Sequence, residues 1–137
     1  MRDILFRAKA INRVEGGEYR TKYKNGDWVY GLIERLYDDR FENLPVQMIN
    51  TNGVSGIDVD YRTIGQYTGF TDKNGVKIFE GDICYFYGGE YYSGFWEYNY
   101  TGKIEIDANS LDYLENAEFI EVIGNVYDNP ELLEERK

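Results

Sequence analysis

No histidine occurs anywhere in the 137 residues, and that absence alone excludes a histidine-based triad, an imidazole general base and a histidine metal ligand. Cysteine occurs once, at Cys84, so neither a disulfide framework nor a zinc finger can form within the chain. No stretch approaches the ~18 apolar residues of a membrane span, and Met1-Arg2-Asp3 lacks the basic-then-apolar opening of a signal peptide. The expectation is a soluble, cytoplasmic protein without membrane association. Positive charge is also scarce where it would matter for nucleic acid. The formal net charge is −10, and residues 1–70 carry equal numbers of acidic and basic side chains, so the whole excess lies beyond residue 70. Between residues 78 and 135 the one cation is Lys103. Direct nucleic-acid binding is therefore not expected. The acidic half reads either as a solubilising surface or as a face for a basic partner, with mimicry of DNA as a variant of the second.

Aromatics and glycine are abundant instead: 14 tyrosines, 7 phenylalanines, 2 tryptophans and 15 glycines. Tyr, Phe, Trp, Val and Ile favour strands, and glycine supplies turns, so the composition predicts a mainly β protein. Ile4 to Ala10 reads as an opening strand, with Ile4, Phe6 and Ala8 on one face and Arg7 and Lys9 on the other. Glu15 to Glu18 signals a turn. Asn25-Gly26 predicts a type I′ hairpin turn feeding a strand over Trp28–Ile33. Residues 37–43 read as a loop, Pro45–Ile49 as an edge strand, and Asp72-Lys73-Asn74-Gly75 as a further tight turn. Lys103–Asp107 alternates cleanly, residues 109–116 have room for a single helical turn, and Phe119–Tyr127 reads as a long final strand. At the end, Asn129-Pro130-Glu131 has the cap, first-position proline and early acid of a short helix. Short strands punctuated by glycine turns predict small barrel-type β domains with a short C-terminal helix. The expected organisation is an N-terminal β subdomain over residues 1–62 packed on a β-barrel with its helix over 63–137.

Three segments, in order, carry a family likeness. They are Phe6-Arg7-Ala8-Lys9 with the later Trp28-Val29-Tyr30-Gly31, then Ile64 through Gly75 running on into Ile78-Phe79-Glu80-Gly81-Asp82-Ile83, and finally Val122 through Leu133. Together they resemble the YopX family of phage and prophage proteins over essentially the full chain. Phe70 and Cys84 stand where that family usually has Leu and Val. The resemblance implies an SH3-like β-barrel and a phage or prophage origin. It implies no activity or catalytic residues.

Glu80 and Asp82, two apart, would share a face on a regular strand and offer oxygen ligands to a hard cation; Asp58 and Asp60 repeat the spacing. The plainer reading is exposed carboxylates around a bend at Gly81. Cys84, with no histidine to activate it, reads as a small buried hydrophobe. Asp72 to Gly75 holds a fragment of a calcium loop without the remaining ligands, and reads as a hairpin. Most informative is the aromatic run from residue 85 to 100. A small barrel cannot bury all of Tyr85, Tyr87, Tyr91, Tyr92, Phe95, Trp96, Tyr98 and Tyr100, because alternate side chains of a strand face outward. These eight form the candidate interaction face. No cofactor is expected. The favoured reading is a non-enzymatic accessory protein that binds a protein partner or another copy of itself. The alternatives are an acidic DNA mimic acting on a host DNA-binding protein, and a small metal-dependent hydrolase using Glu80 and Asp82 with Asp58 or Asp60.

Overall fold

The computed structural model describes residues 4–11, 23–35, 46–91 and 94–134. The expected turn at Glu15–Glu18 and loop at 37–43 lie outside these residues. The protein is mainly β; among the described residues it is built from antiparallel strands with two α-helices and one 3-10 turn, and it divides into two compact units, Met1–Gln66 and Tyr67–Lys137. Among the described residues no helix is long and apolar enough to cross a membrane.

In the first unit, β1 (Phe6–Lys9), β2 (Trp28–Arg35), β3 (Val46–Asn50) and β4 (Ile57–Val59) pair in the order β4-β3-β2-β1. Alternation places Ala8, Ala10, Val29, Met48, Ile57 and Val59 together in a core, with Phe6, Ile33 and Ile64 packed against it. Three expectations change. Ile4 is exposed, whereas Arg7, expected on the solvent face, is buried, its guanidinium 4.4 Å from the centre of the Trp28 ring. The turn at Asn25-Gly26 has positive φ at Gly26 alone, so it is not type I′; one left-handed residue at the third position is the pattern of a type II turn. The strand expected at an edge, β3, lies between β2 and β4. Pro45 precedes its first residue, so the ladder of β3 does without a proline nitrogen.

β5 (Gly65–Thr71) pairs through Gly65 and Gln66 with β1 and through Tyr67 and Thr71 with β6 (Lys77–Phe79). In the second unit a tight turn at Glu80–Gly81 leads into β7 (Asp82–Tyr91). This strand forms a long hairpin with β8 (Gly94–Lys103), and β9 (Ala117–Asn125) pairs with the other side of β7, giving the order β8-β7-β9. The single helical turn expected near 109–116 is a nine-residue helix, α1 (Ala108–Asn116). Asp107 caps it by accepting the Ser110 N–H, and Leu111 and Leu114 form its apolar side. Leu114 joins Ile78, Cys84, Phe86 and Ile104 in a second core, so Cys84 sits as a buried small hydrophobe. The expected terminal helix is α2 (Glu131–Glu134). Asn129 does not cap it with its side chain; its Oδ1 accepts the Asn125 N–H instead.

Candidate functional site

The long hairpin and β9 make a sheet with two unlike faces. Phe86 lies opposite Tyr100 on β8 and Ile120 on β9, and all three belong to the second core. One residue on, Tyr87 lies opposite Asn99 and Phe119, so alternation turns these to the other face. Tyr87 and Phe119 remain 41% and 51% exposed, their rings 6.4 Å apart and tilted by 59°. Tyr85, opposite Thr101 and Glu121, is half-buried on this same face, and Ile123 is exposed further along β9.

The candidate aromatics therefore do not act as one patch. Tyr100 leaves it: its ring stacks at 4.8 Å on Tyr113 of α1 and lies over Gly102, where any Cβ would meet it. Glycine at 102 is what lets that ring lie flat against its own strand. Tyr85 and Tyr87 stay on the outer face. Tyr92 lies outside the described residues, as do the side chains of Tyr91, Phe95, Trp96 and Tyr98. Phe119 is the residue that reading the hairpin alone missed. Its signal was the alternation of β9, in which Ile120 and Val122 turn inward and so Phe119 outward.

Asp58, Asp60 and Asp82 are each engaged in hydrogen bonds within the fold. Glu80 and Asp82 do not share a strand face, because Glu80 sits in the turn before β7 with Gly81 at φ 93°. Asp82 is buried and accepts the Phe79 N–H at 2.8 Å, bracing that turn. Asp58 and Asp60 also diverge. Asp58 accepts from Gln47 Nε2 across the β3–β4 pair, while Asp60 is gripped by Arg62 through Nε and a terminal guanidinium nitrogen. The Arg62 hydrogen bond, outweighing partial burial, holds the Asp60 carboxyl below its ordinary value. Among the described residues no group of three His, Cys, Asp or Glu side chains is placed to hold a metal ion.

Asp72 has the most committed carboxylate. Its Oδ1 accepts the Asn74 and Val76 N–H groups, and its Oδ2 accepts the Val122 N–H at 3.0 Å. The oxygens that gave this turn its calcium-loop look are already filled by backbone donors. The Lys73 N–H, meanwhile, donates to the Ile120 carbonyl. The turn thus meets the outer edge of β9 at the residues on either side of Glu121, as a further strand would. Burial pushes the Asp72 carboxyl up, but the Val122, Val76 and Asn74 N–H groups and the Lys73 charge outweigh it and hold it below the usual carboxylate range.

The sequence pattern of the family described as YopX protein matches residues 18–134. Among solved structures, the crystal structure of protein EF1440 from Enterococcus faecalis is similar at 25% identity, with 97% of this chain and 99% of that chain covered and a TM-score of 0.45. No curated protein matches the chain.

Proposed function

The chain belongs to the YopX family, and from that premise we propose that it is a non-enzymatic phage or prophage accessory module that binds protein through the outer face of β8-β7-β9. In this reading the protein works in the bacterial cytoplasm and its second unit has the SH3-like, barrel-type frame implied by the family resemblance. The observation that carries the proposal is the exposed cross-strand pair Tyr87–Phe119. Large, rigid aromatic side chains with few rotatable bonds are what protein interfaces concentrate, because little side-chain entropy is lost when they are covered. An interior role is excluded for this pair by its exposure.

The test is whether the face binds protein at all. Crosslinking with a photoreactive group in place of Asn99, the exposed neighbour of Tyr87 on β8, captures a partner chain or a second copy, and adding Tyr87→Ser with Phe119→Ser abolishes the capture while circular dichroism is unchanged. Capture that persists at full yield in the double variant overturns the proposal.

A further inference from the structure

The geometry points to a specific kind of occupant for this face: a cationic protein segment whose arginine side chains lie on the Tyr87 and Phe119 rings. The inference rests on the proposed binding role and adds the chemistry of the partner. Its first ground is charge. The second unit carries the entire net charge of −10, so any partner reaching it moves through a negative field. Its second ground is how that unit's own cations are used. Among its described residues, Lys73 pairs with Glu121 at 3.5 Å, Lys103 with Glu105 at 2.8 Å, and Lys77 lies 5.7 Å from the Tyr67 ring centre. Lys103 lies on the Tyr87 face opposite Ile83, well along the strand from the aromatic pair, and Lys73 reaches this face through Glu121.

Glu118 precedes Phe119 and is exposed, but alternation places it on the Ile120 side of β9, so the carboxylate beside the pair is Glu121. Glu121 lies on the same face as Phe119, and its link to Lys73 joins two half-exposed side chains. Such a surface pair contributes little and is readily exchanged for a better-placed cation. Two exposed rings beside the Glu121 carboxylate suit guanidinium groups in particular. The planar cation stacks on the ring face while its edge donates to a carboxylate, which a compact ammonium does less well. A second copy of the chain fits worse, since it brings the same −10 to the contact.

Short fluorescein-labelled peptides, alike except that one is arginine-rich, one lysine-rich and one glutamate-rich, serve as probes of the full chain by anisotropy. The arginine peptide is expected to bind saturably and more tightly than the lysine peptide, and the glutamate peptide not at all. Its affinity should fall at least about tenfold between ~0.05 and ~0.3 M salt, as the screening length shrinks from ~14 to ~6 Å. Tyr87→Ser with Phe119→Ser, exposed positions whose fold is checked by thermal melting, should weaken it by about tenfold or more at fixed salt. Glu121→Gln should weaken it and flatten the salt dependence. Unchanged affinity in the aromatic double variant means diffuse attraction to an acidic surface and overturns the inference. A dimer in sedimentation that the same double variant converts to monomer also overturns it, while leaving the protein-binding role standing.

Discussion

At the scale of single residues, buried carboxylates here accept backbone N–H groups and so hold turns and strands in place. Asp72 accepts three backbone N–H groups and sits almost wholly buried, joining the β5–β6 turn to β9 fifty positions away. Hydrogen bonds to a charged acceptor contribute ~1.5–3 kcal/mol each where the donor would otherwise be buried and unpaired. Asp72→Asn replaces one acceptor oxygen by an NH2 that faces an N–H. The expected loss is about 2 kcal/mol, measured as a lower urea midpoint at neutral pH. The pH dependence has a definite sign. Because the folded carboxyl is held below its unfolded value of ~3.9, its stabilisation is fully present above that value and disappears as pH falls through the folded one. Acid unfolding followed by tyrosine fluorescence should therefore be shallower in Asp72→Asn than in the native chain. Asp82 gives a second residue-scale expectation. With an oxygen already accepting the Phe79 N–H inside a tight turn, it should not serve a cation, and calorimetric titration with Mg²⁺, Mn²⁺ and Ca²⁺ should show no specific heat. A micromolar site abolished by Glu80→Gln would return the hydrolase reading to consideration.

At the scale of elements, close approach between strands sets the tightest constraint. Gly31 of β2 lies opposite Phe6 of β1 and Asn50 of β3, and a Cβ built there runs into the Ile49 carbonyl. Backbone cannot yield as a side-chain tip can, so Gly31→Ala should cost about 3 kcal/mol or prevent folding, read as a fall in melting temperature. In Gly102→Ala the nearest atoms are those of the Tyr100 ring, a side chain that can yield, so the change should cost less, and its signature is a changed near-ultraviolet dichroism as Tyr100 leaves Tyr113. Period-two alternation made β2 and β9 legible from sequence, since Val29 and Ile33 or Ile120 and Val122 must share a buried face. The helix α1 was read short because only Leu111, Tyr113 and Leu114 among its nine residues are large and apolar. Asp107 as a cap and the Leu111–Leu114 spacing were the signals available. The Asp72–Val122 link and the burial of Arg7 against Trp28 were illegible for a different reason. Both depend on which strands become neighbours, and no local pattern encodes that. The candidate face was half legible: alternation within the hairpin exposes Tyr87, but its partner Phe119 is assigned only by the register of β9 on β7.

At the scale of the whole molecule, charge separates two units that hydrophobic patterning treats alike. Met1–Gln66 has balanced charge, and Tyr67–Lys137 carries the full −10. Like charges confined to a small unit repel one another more in the compact state than in the extended chain, so they favour unfolding. Raising salt from ~0.01 to ~0.15 M shortens the screening length from ~30 to ~8 Å and removes most of the longer-range repulsion. The second unit should therefore be stabilised by salt and the first should respond little. The two tryptophans allow the units to be followed separately, since Trp28 lies in β2 and Trp96 in β8. In Trp28→Phe the remaining emission reports the second unit, and in Trp96→Phe it reports the first. The expected result is a urea midpoint that rises with salt for the Trp96 signal and stays nearly fixed for the Trp28 signal. Equal shifts in both would mean that the charge excess acts on the chain as one cooperative body, and that the division seen in the packing does not extend to stability.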